Sequence, residues 1–301
     1  MPTVKQQNNV AFIIFTFPLI VGLLVFVVAP IVWGTIVSLF TARGTIELQE
    51  FVGIKNYITL FKDEAFTDSI IRIILYGVFI VPTTVFASLF LAVLITKITA
   101  GKSFFRLVFF IPQAASYVVA AMIWRMSRCN GMDFGRVNIV LNWLEIDWVL
   151  GLSGWPAVWL PISTIRLWLQ VGMFMIIYIA AIENIPVQLY EAARVDGAER
   201  EWTLFRHITF PMIRNTTIFV VFMNIINLFK AFDEFYNLLV SSQASNNLYL
   251  ARTPLIYLYQ TGFIGQDYGM GSAGAIIVAL LIIIGTRIQI YITGSGKSVR
   301  G

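Results

Sequence analysis

The sequence predicts an all-α, polytopic membrane protein with six transmembrane helices, and three observations predict it. Hydrophobic residues fill 58% of the 301 positions and charged residues only 12%, with a mean hydropathy of +0.80. A soluble domain carries about 25% charged residues, roughly twice this share. Six stretches are apolar over the roughly 20 residues that a helix needs to cross a bilayer core. Between the fourth and fifth of them lies a segment far more charged than its surroundings, residues 191–211, which reads EAARVDGAEREWTLFRHITFP.

The first span covers residues 10–39, with Pro18 and Pro30 placed to bend it or mark its ends. It is much longer than the core of a cleaved signal peptide and has no A-x-A-like cleavage site, so it reads as a retained helix. Residues 41–68 are polar and acidic, with Glu47, Glu50, Asp63, Glu64 and Asp68. The second span, residues 70–95, contains Pro82 and leads into a short turn with Lys97 and Lys102. The third, residues 104–126, has Pro112 near its start. A longer loop, residues 127–155, follows; its Trp143, Trp148 and Trp155, with Trp159 just beyond, suit a membrane interface, where an indole is half buried and half wet. The fourth, fifth and sixth spans are residues 157–182, 216–240 and 272–292, with a polar segment at 241–269. Together they make one transmembrane domain, residues 1–301.

Six spans put both termini on one side of the membrane. Lys5, Lys97, Lys102, Arg106, Arg194, Arg200, Arg206, Arg214, Lys297 and Arg300 fall on that side, and the positive-inside bias makes it cytoplasmic. The same sidedness accounts for the formal charge of +5. No basic run or face is present that would favour nucleic acid as a partner. Cys129 and His207 are the only residues of their kinds. They rule out an intrachain disulfide and cysteine or multi-histidine metal sites, and they leave no catalytic constellation. His207 reads as a surface residue.

The charged loop is built as a helix–turn–helix facing water. Residues 189–194 are helix-compatible, Asp196-Gly197 is a break, residues 199–208 are helix-compatible again, and Pro211 leads into the fifth span. Ala192 and Ala193 lack bulk and allow a partner surface to approach closely. Glu191 offers a carboxylate to a basic partner, and Gly197 can take the positive φ of a tight turn. The bland alternative is an amphipathic helix lying on the membrane surface or packing on its own bundle.

Glu191-Ala192-Ala193, Asp196-Gly197-Ala198 and Ile208-x-Phe210-Pro211 resemble the "EAA" loop of ABC-importer permeases, most closely the sugar-type branch related to the maltose permease subunits. FVGIKNY from Phe51, FFRLVFFIP from Phe104, ENIPVQLYEAA from Glu183, AFDEFYNLL from Ala231 and YGMGSAGA from Tyr268 extend the resemblance over nearly the whole chain. One departure is the ten residues between Gly197 and Ile208, where the family usually has nine. The resemblance implies that residues 186–215 form a coupling loop docking on a cytoplasmic ATPase dimer. ATP and Mg would be bound by that partner, and no cofactor by this chain. It further implies a second permease subunit (a similar chain or this one again), an extracytoplasmic solute-binding protein, and a bacterial or archaeal cell membrane.

Two other matches are refused. Gly296-Lys297-Ser298 resembles the end of a P-loop, but the first glycine would fall at Tyr291 and no strand precedes it. Gly269-Met270-Gly271-Ser272-Ala273-Gly274 matches G-x-G-x-x-G, yet it opens a membrane helix; small residues there let helices pack closely.

A charged group at bilayer depth costs about 2.5–3.5 kcal/mol on insertion scales, so it needs a partner or an aqueous cavity. Arg166 and Gln170 share a face of the fourth span, and Asn224 and Asn227 share one on the fifth, with Lys230 further along and Asp233-Glu234 near its outer end. Arg166, Gln170, Asn224, Asn227 and Lys230 form a candidate substrate site, and permeases resembling this chain bind sugar midway along the matching helices. The alternative is plain interhelical hydrogen bonding, with Arg166 reaching outward along its stem and Lys230 pairing with Asp233 or Glu234. Arg166 and Lys230 also open a narrower option, an acidic substrate such as a uronate oligomer or a phosphorylated polyol.

The reading is therefore the permease subunit of an ATP-driven ABC importer for a sugar or oligosaccharide, with no enzymatic activity of its own. The first rival is a secondary transporter driven by an ion gradient, which calls for inverted repeats and intramembrane carboxylates. The carboxylates here fall almost wholly in loops or near span ends. The second rival is a membrane scaffold or an intramembrane enzyme.

Overall fold

The structure, a computed structural model, describes residues 4–127, 159–198, 200–239 and 252–293. Cys129, Trp143, Trp148, Trp155, Glu199, Lys297 and Arg300 lie outside the described residues, as does the P-loop-like Gly296-Lys297-Ser298. Among the described residues, four helices are long and apolar enough to cross a membrane, and two bent helix pairs bring the number to six. The chain divides into two compact units, Met1–Thr67 with Leu258–Ala279 and Asp68–Tyr257 with Leu280–Gly301.

In the first unit, α1 (Val4–Leu23) continues through a π-type turn, Leu24–Val28, into α2 (Ala29–Val37). Nearly all the apolar side chains of this 23-residue span, Phe15–Val37, point outward, Phe15 and Phe26 most of all, and Val37 at its end is buried. Hydrocarbon is the solvent that such a surface suits. Beyond it α3 (Lys55–Lys62) ties the chain back: the Asn56 side-chain amide donates to the carbonyls of Ser38 (2.9 Å) and Phe40 (3.0 Å). Carbonyls at a helix end have no partner within the helix, and Asn56 supplies one.

The segment expected to be polar, residues 241–269, contains further helix: α13 (Pro254–Leu258) with a π-type turn, Tyr259–Ile264. Its apolar Ile256, Tyr257 and Leu258 are buried, and the surrounding polar residues hid them from a windowed reading. The small residues that open the last helix do pack closely. A Cβ built on Gly271 would stand 2.9 Å from the Gly262 Cα, and one on Gly269 or Gly274 would overlap the Phe40 carbonyl or the Leu258 side chain.

In the second unit, α4 (Glu64–Lys97) arrives as one 34-residue helix with Pro82 inside it. Proline removes a backbone donor, and the hydroxyls around it fold back on carbonyls: Thr83 onto Phe79 (2.7 Å) and Thr84 onto Ile80 (2.8 Å). The third span is not continuous. It divides into α5 (Lys102–Phe110), a 3₁₀ turn at Ile111–Ala114 and α6 (Tyr117–Ser127), with a bend of 92°. Pro112 ends the first piece, and Ser116 starts the second by accepting the Val119 N–H at 3.2 Å.

Helix α7 (Trp159–Glu183) is the most buried span, and α4, α11 and the loop pack a core around its Phe174, Met175, Tyr178 and Ile179. The chain then forms α8 (Val187–Val195), α9 (Glu201–Leu204) with a π-type turn at Phe205–Thr209, and α10 (Phe210–Met212). Helix α11 (Arg214–Phe229) follows at 67° to the preceding segment. The fifth span also differs from expectation: α11 stops at Phe229, and a separate α12 (Asp233–Leu239) follows a break at residues 230–232. The part of the last helix, α14 (Tyr268–Thr293), from Leu280 onward belongs to this unit, and its Gln289 side-chain amide donates to the Ile218 carbonyl at 2.8 Å.

Candidate functional site

Two places in the second unit concentrate polar chemistry: the loop from α8 to α10 and a cavity beside α7 and α11. The loop follows the sequence expectation closely. Pro186 precedes α8, and Gly197 takes a φ of +89° just after it. The Ala198 N–H reaches the Ala193 carbonyl at 2.9 Å and the Gly197 N–H reaches the Arg194 carbonyl at 3.1 Å. This pair of bonds with a left-handed glycine is a Schellman cap, which closes the helix and turns the chain sharply.

None of the nine residues of α8 is buried. Glu191, Ala192, Asp196 and Gly197 are exposed, Ala193 is half-buried, and Val195 is 88% exposed. The second arm is fastened to the body instead. Lys97 at the end of α4 pairs with Glu201 at 2.7 Å, and the Tyr190 and Thr209 hydroxyls join the two arms at 2.9 Å. The hydrogen bond and charge of Lys97 hold the Glu201 carboxyl below its ordinary range. Glu183, where α7 ends, pairs with both Lys102 and Arg106, so α5 is tied to the start of the same loop. His207 is exposed, as expected of a surface residue, with Nδ1 3.0 Å from the Thr203 carbonyl oxygen.

The cavity has a volume of ≈ 290 Å³ and is walled by α7, the end of α11, α12 and the broken third span. Four of the five sequence candidates line it: Arg166, Gln170, Asn227 and Lys230. Asn224 does not. It is buried, and its amide donates to the Val220 carbonyl of its own helix at 2.9 Å.

Arg166 does not reach outward. It is 3% exposed, and Nη1 lies 2.6 Å from Glu234 Oε1 on α12, itself 3% exposed. Nη2 donates to the Asn227 carbonyl at 2.6 Å. That carbonyl belongs to the last turn of α11, where carbonyls lose their helical partners and a cation is favoured. The Thr253 hydroxyl takes the Ala231 carbonyl at 2.8 Å, so the backbone freed by the break is satisfied at both points. Glu234, expected near a span end as a partner for Lys230, is thus buried and paired with Arg166.

Gln170 donates to the Tyr117 hydroxyl at 2.8 Å, and Gln113 presents its Oε1 buried and without a protein partner. Gln113, Tyr117 and Glu234 line the cavity, and sequence reasoning did not select them as site residues. Gln113 and Tyr117 flank the break in the third span, and the pairing of Pro112 with Ser116 was the available signal. Among the described residues no group of His, Cys, Asp and Glu could hold a metal ion.

Comparison with known proteins places this architecture. The "Probable starch degradation products transport system permease protein AmyD" of Thermoanaerobacterium thermosulfurigenes is 31% identical over 292 residues, 95% of each chain. The sn-glycerol-3-phosphate transport system permease protein of Escherichia coli is 30% identical over 247 residues, 81% of each chain. The fold matches a chain of a bacterial ABC transporter involved in the import of the acidic polysaccharide alginate, with a TM-score of 0.83, 22% identity and 96% of each chain covered. The model of the binding-protein-dependent transport system inner membrane component family matches residues 53–294. This chain, with its capped loop and its broken third and fifth spans, belongs to that family.

Proposed function

We propose that this chain is the permease subunit of an ATP-driven importer that moves a sugar or oligosaccharide from a binding protein into the cytoplasm. The observation that carries the reading is α8. A nine-residue helix with no buried position, closed by a Schellman cap and braced from behind, is a surface shaped for a partner. The partner is a cytoplasmic ATPase dimer, which supplies ATP and Mg. Glu191, Ala192, Ala193, Asp196 and Gly197 make the contact. Closure of the dimer pulls on the loop, and the Lys97–Glu201 and Glu183 ion pairs pass the pull to α4 and α5. The loop and both termini face the cytoplasm, and a second permease, similar or identical, completes the pathway.

The substrate is received in the cavity of Arg166, Gln170, Asn227 and Lys230. Relatives named for starch degradation products and for glycerol phosphate support a polyhydroxylated cargo. Asn224 acts from behind, by fixing the wall of α11.

The test is Glu191→Lys in proteoliposomes holding both permeases, the ATPase and the binding protein. Uptake driven by ATP should be lost while the variant still inserts. Unchanged uptake that collapses with an ionophore would instead favour transport driven by an ion gradient.

A further inference from the structure

Relatives of this chain are named for cargoes of opposite character, starch products on one side and a phosphate ester on the other. The charge inside the cavity distinguishes the two. Its charged lining among the described residues is two cations, Arg166 and Lys230, and two carboxylates, Asp233 and Glu234. The deeper cation is already spent: Arg166 gives one nitrogen to Glu234 and another to the Asn227 carbonyl, each at 2.6 Å. An anionic cargo would find no uncommitted excess of positive charge there. It would have to break a buried ion pair or sit beside two carboxylates. A hydroxyl needs neither. It can donate to the Gln113 Oε1, which is buried without a protein partner, and it can bond the polar tips of Gln170 and Tyr117. A buried acceptor left unmet is costly, so a hydroxyl that meets it is favoured.

We infer that Glu234, with Asp233 beside it, is a specificity determinant: by cancelling Arg166 and Lys230 it makes the cavity accept uncharged polyhydroxy cargo and reject acidic cargo. This rests on the proposed sugar import. It adds the sign of the substrate and a residue that sets it. Removing one carboxylate leaves one cation in excess, and the cavity then becomes a site for a uronate.

The test measures equilibrium binding to the assembled complex of both permeases and the ATPase in nanodiscs. The binding protein is left out so that only the membrane cavity selects. The probes are radiolabelled maltotriose and trigalacturonate, which are similar in length and differ in charge. Wild type should prefer maltotriose. Glu234→Gln should move the binding ratio about tenfold or more toward trigalacturonate, as one charge-assisted hydrogen bond would. Should that variant fail to fold, Asp233→Asn removes the same charge from an exposed position without unpairing Arg166, and it should move the ratio in the same direction. Adding Arg166→Gln to Glu234→Gln should return the ratio toward wild type. A wild type that prefers trigalacturonate, or a ratio indifferent to every charge change, overturns the inference. A complex that binds neither probe overturns the sugar reading itself and this inference with it.

Discussion

Lys97 Nζ stands 2.7 Å from Glu201 Oε2, so the end of α4 is clasped to the second arm of the loop, α9, rather than to the exposed α8. Both side chains are more than half exposed, and an ion pair of that kind contributes at most about 1 kcal/mol to stability. Under the proposed function its value lies in transmission. Lys97→Glu or Glu201→Lys alone should leave the melting temperature nearly unchanged and cut ATP-driven uptake severalfold, and the double exchange should recover it. Full uptake in both single variants would remove the pair from the path of force.

The same pair carries a pH expectation. The Lys97 hydrogen bond and charge hold the Glu201 carboxyl below its ordinary value, so the clasp is present throughout the pH range above that ordinary value and is lost only as pH falls through the lower, folded-state value. Limited proteolysis of the loop should therefore be unchanged between pH 7 and 5. Loosening within that range would show that Glu201 is not held by Lys97.

The Arg166–Glu234 pair should behave in the opposite way from the surface clasp. Both groups are 3% exposed, and removing one partner leaves an uncompensated buried charge, a loss of about 3–5 kcal/mol. Arg166→Met should lower the thermal midpoint of the purified complex strongly. Arg166→Met combined with Glu234→Leu should recover much of the loss. If the double variant melts no higher than the single one, the instability comes from the uncapped α11 carbonyls instead.

Two glycines make a matched comparison. A Cβ on Gly172 would run into the Phe109 carbonyl and the Phe110 backbone, atoms that cannot step aside, whereas Gly285 has open space around it. Gly172→Ala should cost about 1–3 kcal/mol through forced separation of α7 from α5. Gly285→Ala should be neutral or slightly stabilising, because alanine favours a helix by about 1 kcal/mol. Thermal unfolding of the two variants side by side decides the matter.

Gly197 is unhindered, so its constraint is conformational: φ is +89° with nothing within 4 Å of a built Cβ. Gly197→Ala should strain the turn by about 1–2 kcal/mol, and Gly197→Asn should strain it less, because asparagine visits the left-handed region more readily. Uptake should rank glycine, asparagine, alanine. Equal uptake in all three would mean that the turn does not set the orientation of α8.

What the sequence disclosed and what it withheld follow from the range of each interaction. Spans 64–97, 159–183 and 268–291 were legible because hydropathy is a local sum, and the loop was legible because a charged helix–glycine–helix pattern is local too. The breaks at Pro112–Ser116 and at residues 230–232 lay inside apolar windows that averaged them away. Glu234 was missed for a different reason. A carboxylate near the end of a span reads as exposed until its partner, 68 residues earlier in the chain, is seen against it. Asn224 failed in the converse way, since sharing a face with Asn227 did not stop its amide from bonding to its own helix.

The two broken spans have a consequence for how such a protein can change over generations. The polar wall contributed by the third and fifth spans sits on or beside short pieces, α6 with eleven residues and α12 with seven, each set off by a break. Substitutions on those pieces, the Arg166-paired Glu234 aside, alter what the cavity touches without disturbing the long helices or the loop from α8 to α10. Under the proposed function, cargo preference and the drive mechanism can therefore drift independently, and a lineage can trade one nutrient for another while keeping the same engine.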